Sequence, residues 1–158
     1  YPLVTGVQTC ALPISIAQQN VRDYFGEMPQ RWKLHVGKVQ DASLDSHFDR
    51  VIFDMLAPWE CLDIASKALR PGGVLCCYVA TTTQLSKTAE ALKASELFTE
   101  PESFETLLRA WHHEGLAVRP MHAMNAHTGF LLFARRMAHG IKPIRRRRRP
   151  AKGSEEER

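Results

Sequence analysis

The stretch FDRVIFDMLAPWE, residues 48–60, decides the reading of the fold. Val51, Ile52 and Phe53 form a near-continuous apolar run of the kind expected for a strand buried on both faces, as in a parallel sheet. Asp54 closes the run, and Pro58-Trp59 follows it. A carboxylate aimed unpaired into a core is costly. At the carboxyl end of a strand it can instead face the crevice in which open α/β sheets bind ligands. The bland alternative is that Asp54 caps the helix beginning near Pro58, but a separation of four residues is awkward for an N-cap. Pro58 and Trp59 fix the loop's direction and can wall a pocket for a flat ring.

Outward from this stretch, helices and strands alternate. SIAQQNVRDYFG (15–26) predicts a helix with Ile16, Val21, Tyr24 and Phe25 on one side, a serine start and a glycine stop. WKLHVG (32–37) reads as a short strand. APWECLDIASKALRPGG (57–73) predicts a helix with Pro58 in its first turn, Leu62, Ala65 and Leu69 facing inward, and Pro71-Gly72-Gly73 at its end. VLCCYVA (74–80) is a second buried strand, and TTTQLSKTAEALKAS (81–95) an amphipathic helix with Leu85, Ala89 and Leu92 in register. SFETLLRAW, LAVRPMHAM and HTGFLLFARR then follow as strand-like segments, separated by HHEG and NAH. The order implies an α/β domain with a parallel core and an antiparallel hairpin at its edge.

A length of 158 residues and 44% hydrophobic content fit one globular domain. The longest apolar run, GGVLCCYVA, is too short to cross a bilayer, and the first residues lack the charged-then-apolar pattern of a secretory leader. Cys10, Cys61, Cys76 and Cys77 have no metal-ligand spacing, so reduced thiols, no metal and a cytoplasmic location are expected. His112-His113 sits in an expected turn without partners at metal spacing. The net charge of +4 is concentrated in IKPIRRRRRPAK, with seven cations in residues 142–152. Tails of this kind bind polyanions through their phosphates, here expected at Arg145, Arg146, Arg147, Arg148 and Arg149; the common alternative is a solvated tail with no partner.

Three strand ends can carry chemistry: Lys38–Asp41, Asp54, and Ala80–Gln84 with its hydroxyls and amide. A helix N-cap accounts for one of Thr81, Thr82 and Thr83. His127 and Thr128 open the last strand, and a lone histidine is more often structural than catalytic.

In order along the chain, VIFDMLAPWE, RPGGVLCCYVATTTQL, FETLLRAW, AVRP and HTGFLLFARR resemble the catalytic domain of tRNA (adenine-58, N1)-methyltransferases, most closely the actinobacterial branch, over residues 16–137. The resemblance implies strands three to seven of a Rossmann-like class I methyltransferase sheet. It also implies S-adenosylmethionine as cofactor, tRNA as substrate and a homotetramer. It puts Asp54 between cofactor and target base. Taken with the strand ends above, cofactor contacts are expected at Asp54, Lys38 and Val39, and a substrate pocket at Pro58, Trp59, Thr81, Gln84 and His127. Lys38 stands where the family usually has an acidic residue, and Asp41 lies three residues on. The family's glycine-rich loop after strand one and the acidic residue ending strand two have no counterpart.

VTGVQTCALPIS (4–15) resembles the translation of a sequencing-adapter oligonucleotide. Residues 1–15 are therefore expected to be non-native, residues 16–137 the later part of a catalytic domain, and residues 138–158 a disordered basic, then acidic, tail. A chain lacking the cofactor cradle is expected to be inactive by itself. The competing readings are a class I methyltransferase with another substrate and a non-enzymatic RNA-binding piece.

Overall fold

The computed structural model describes residues 3–5, 11–42, 48–124 and 126–145. Strand β1 (Leu3–Thr5) pairs in parallel with β2 (Trp32–Leu34), and helix α1 (Ala11–Phe25) lies between them in sequence. The main sheet has four strands: β3 (Phe48–Asp54), β4 (Leu69–Val79), β5 (Glu102–Phe104) and β8 (Phe130–Arg135). Its order is β3-β4-β8-β5, parallel between the first two and antiparallel thereafter. Helix α2 (Leu62–Ala68) connects β3 to β4, and α3 (Thr82–Ser95) follows β4. β6 (Trp111–Glu114) and β7 (Ala117–Pro120) form a separate antiparallel hairpin. No described helix is long and apolar enough to cross a membrane.

The α/β architecture with a parallel core and antiparallel late strands is as expected, but its burial is one-sided. Register partners share a face. One face therefore carries Val51, Phe53, Leu75, Cys77, Leu132 and Ala134, which pack with Leu62, Ala65, Leu92 and Phe98 into the core. Ile52, Asp54, Cys76, Tyr78, Leu131 and Phe133 line the other face, and Phe104 stacks on Phe133 there. Ile52 is 70% exposed, so β3 is not buried on both faces. Its apolar run reflects an uncovered surface as well as a core.

Three further expectations shift. The first helix begins at Ala11 rather than Ser15, and its stripe stays outside the core cluster: Ile16, Tyr24 and Phe25 are exposed. The helix predicted through Pro71-Gly72-Gly73 stops at Ala68, after a 3₁₀ turn at Pro58–Cys61. Leu69 faces the core as predicted, but as the first residue of β4. Arg70–Gly73 is looped out of the ladder, because Phe48 pairs with Leu69 while Arg50 pairs with Val74. Gly72 takes φ +78° within this loop, a conformation open to glycine. Finally, His112 and His113 lie in β6; the turn is Gly115-Leu116, and His112 faces Glu114 at 3.6 Å.

The burial contrast makes a direct prediction. Leu132→Ala, at a fully buried site, lowers the unfolding free energy in urea by about 2–5 kcal/mol. Ile52→Ala changes it by under about 0.5 kcal/mol.

Candidate functional site

Parallel pairing of β3 and β4 brings their carboxyl ends to one edge, with Asp54 opposite Tyr78 on the open face. Asp54 is exposed there. The cap position of the turn Pro58–Cys61 belongs to Ala57, which has no side chain able to cap it. Pro58 is buried and Trp59 half-buried. The Lys87 ammonium lies 4.3 Å from the Trp59 ring centroid, so a cation from α3 holds one side of the indole.

The turn from β4 into α3 is closed by a capping box. Thr81 is the N-cap: its hydroxyl accepts from the Gln84 amide at 3.2 Å. The Gln84 side-chain oxygen accepts from the Ala80 and Thr81 amides at 3.2 and 3.1 Å, and from the Thr81 hydroxyl at 3.0 Å. Its Nε2 donates to the Leu56 carbonyl at 3.0 Å. Gln84 thus ties the α3 cap to the loop between Asp54 and Pro58. Thr82 and Thr83 are exposed on the first turn.

His127 reaches the same edge. Its Nε2 lies 2.9 Å from the Ala80 carbonyl, its Nδ1 lies 3.1 Å from a Glu105 carboxylate oxygen, and its ring packs 4.6 Å from that of Phe130. The hydrogen bond to the Ala80 carbonyl, then that to Glu105, raise the histidine's pKa. Next to it, the Tyr78 hydroxyl donates to the Thr128 carbonyl.

The other predicted positions are dispersed. Val39 packs against the core cluster in a 3₁₀ turn, Val39–Asp41, while Lys38 and Asp41 are exposed. Gln40 donates to the Cys61 sulfur at 3.2 Å, which ties that turn to the one after β3. Arg145 is at the opposite end of the sheet. Its guanidinium donates to the Lys93 carbonyl at 2.6 Å, near the end of α3, and lies 3.5 Å from Glu100. Arg146, Arg147, Arg148 and Arg149 lie outside the described residues. Burial raises the pKa of Cys61, Cys76 and Cys77, the last to about 12, so these thiols stay protonated and are poor nucleophiles at neutral pH.

Sequence reasoning did not single out Glu105, Tyr78 or the Leu56 carbonyl. Glu105 stands in the segment FETLLRAW and was legible as a charge, though not as a partner of His127. The carbonyl carries no signal in the sequence.

Residues 27–115 match the family described as tRNA methyltransferase complex GCD14 subunit. The chain is 30% identical over 121 residues to the tRNA (adenine(58)-N(1))-methyltransferase TrmI of Thermus thermophilus, covering 76% of this chain and 46% of that protein. It is 31% identical over 101 residues to the tRNA (adenine(57)-N(1)/adenine(58)-N(1))-methyltransferase TrmI of Methanocaldococcus jannaschii, covering 63% and 36% of the two chains. The chain thus spans less than half the length of these relatives. Among solved structures, a S-adenosylmethionine-dependent O-methyltransferase from Thermotoga maritima superposes with a TM-score of 0.77 at 23% identity, over 88% of this chain and 51% of that one. The tRNA (m1A58) methyltransferase TrmI of Aquifex aeolicus gives 0.74 at 24% identity, over 85% and 53%. These two likenesses establish the class I methyltransferase fold.

The capping geometry separates two neighbouring threonines. Thr81→Ala costs about 1 kcal/mol of stability in chemical denaturation. Thr82→Ala, which removes no cap, stays within about 0.5 kcal/mol.

Proposed function

The chain belongs to the family of the tRNA methyltransferase complex GCD14 subunit, and from that premise we propose that it is part of an S-adenosylmethionine-dependent enzyme that methylates N1 of adenine 58 in tRNA. The observation that carries this reading is the exposed Asp54 at the carboxyl end of β3, beside the Pro58-Trp59 turn and the α3 cap. S-adenosylmethionine, when bound, supplies an electrophilic methyl group. The described residues fit only part of it. Lys38 and Val39, after β2, would hold its adenine and Asp54 would face its methyl, but no glycine-rich turn joins a strand to a helix at this edge among the described residues. Because the chain spans less than half the length of its curated relatives, methyl transfer is assigned here to a protein of their full length.

The chain's own contribution is to hold and stabilise the base. N1 of adenine has a free lone pair and needs no proton removed, but gains positive charge as it is methylated. The Asp54 carboxylate accepts a hydrogen bond from the exocyclic amine, which stabilises that charge and keeps N1 in line. Trp59 walls the base; Pro58, predicted to share that wall, is fully buried and instead fixes the turn that carries Trp59, and the hydroxyl and amide groups at Thr81 and Gln84 border the base. The base must first leave the stacked T-loop.

The remaining parts of the reading are a cytoplasmic location, a homo-oligomer and tRNA as partner, and the last two each have a feature in their favour. The β6–β7 hairpin leaves Trp111, Leu116 and Val118 exposed. A two-stranded hairpin with uncovered apolar groups gains stability from burial against another copy. Sedimentation of the full-length protein as a monomer at micromolar concentration would rule this out. The arginine run of the sequence, residues 145–149, would add phosphate contacts, although the Arg145 guanidinium is engaged by Lys93 and Glu100; tRNA affinity that does not fall with salt would count against the tail.

The test of the catalytic role uses the full-length protein and unmodified tRNA. Asp54→Ala lowers the rate of methyl transfer about 10²–10³-fold with the fold retained by circular dichroism. An unchanged rate removes Asp54 from the mechanism.

A further inference from the structure

We propose that His127 is held as an imidazolium and that, with Gln84, it is a positioning residue fixing the loop that carries Asp54. The inference rests on the reading of that strand end as the catalytic crevice. Both groups facing the His127 nitrogens, the Ala80 carbonyl and the Glu105 carboxylate, are acceptors. A neutral imidazole has one N–H and can satisfy only one of them; the imidazolium donates to both. The bonds continue without a gap to the candidate site. From the Ala80 carbonyl the path crosses its peptide plane to the amide of Thr81, which donates to Gln84 Oε1 at 3.1 Å; Gln84 Nε2 then donates to Leu56, two residues beyond Asp54. The Gln84 amide fits in one orientation only. Reversed, its NH₂ would meet the Ala80 and Thr81 amides and its oxygen the Leu56 carbonyl.

The sequence HTGF acquires a physical meaning here. Thr128 offers its carbonyl to the Tyr78 hydroxyl, and Gly129 leaves room for the Tyr78 ring, since a Cβ there would lie 2.4 Å from ring atoms. The two residues after His127 are thereby registered against Tyr78 of β4. With both ring N–H groups committed to the protein, none is left to bind a base, so His127 acts on the substrate through the loops.

The bracket is pH-dependent. The ionisable groups facing His127 are Glu105, from the segment after β5, and Tyr78, one peptide away through Thr128. The two hydrogen bonds that require the cation also raise the histidine's pKa. A raised folded-state value means that the stabilisation is complete below the ordinary histidine pKa, about 6.5, and is lost as pH rises through the folded value.

Ring-nitrogen NMR on the 158-residue chain tests this without reference to catalysis. The expected result is a His127 titration midpoint above about 6.5, with both nitrogens protonated below it. Glu105→Gln, an exposed change that leaves the core untouched, should lower the midpoint. Protection of the Thr81 amide and the Met55–Ala57 amides should fall as pH passes the midpoint, beyond the intrinsic rise in exchange. An ordinary midpoint, or one unmoved by Glu105→Gln, overturns the proposal. In the full-length protein, His127→Gln should lower kcat for tRNA methylation and flatten its loss at alkaline pH, with KM little changed; a pure KM effect overturns the positioning role. Absence of tRNA methylation by the parent, with the NMR result intact, would refute the proposed function and leave the imidazolium bracket standing.

Discussion

The parallel ladder between β3 and β4 is the constraint on which the rest depends. Parallel neighbours must be joined by a crossover, here α2, and they end at the same edge. Their exact register is set by the loop Arg70–Gly73. Phe48 pairs with Leu69, an offset of 69 − 48 = 21; carried forward, that offset would set Asp54 against residue 54 + 21 = 75, the buried Leu75. Beyond the loop the offset is 74 − 50 = 24, and Asp54 meets Tyr78 on the open face instead. A shift by an odd number of residues exchanges the faces of a strand. The three extra residues therefore decide whether this carboxylate faces a core or a crevice. An Arg70–Asp49 ion pair and backbone bonds between Gly72-Gly73 and Arg136 hold the loop in place.

The sheet divides its labour by face. One side is a conventional apolar core under α2 and α3, where Phe98, Leu92 and Leu132 are fully buried. The other carries Asp54, Tyr78 and Ile52 toward solvent. Its loops run at the surface: Leu56 is exposed between Met55, which packs on the core, and the buried Pro58, and exposed segments open locally at small cost. Side-chain hydrogen bonds from Gln84 and His127 add to that packing in fixing them. Each such bond contributes little net stability in a solvated setting. Their effect is geometric, and geometry is what in-line methyl transfer requires.

Periodicity made most of the elements legible. The strand ending at Asp54, α3 with Leu85, Ala89 and Leu92, and the strand LLFA appear close to their predicted places. The N-cap at Thr81 was readable as one of three threonines, since capping chemistry is local. What could not be read was long-range. An apolar run looks the same whether its outer face is covered or open, so Ile52 misled. Pro71-Gly72-Gly73 signals a break, but a helix end and a loop within a strand use the same residues. His127 and Glu105 are 22 positions apart, and only the pairing of β8 with β4 and β5 brings them together.

The measurement that bears most directly on the central claim is the position of the methyl group. Reverse transcription of tRNA treated with the full-length protein reports it, because a methyl on adenine N1 blocks the pairing edge. The account predicts a new arrest at adenine 58, absent when Asp54 is replaced by alanine. Readthrough at that adenine with methyl incorporated elsewhere, or an arrest that persists without Asp54, would contradict it.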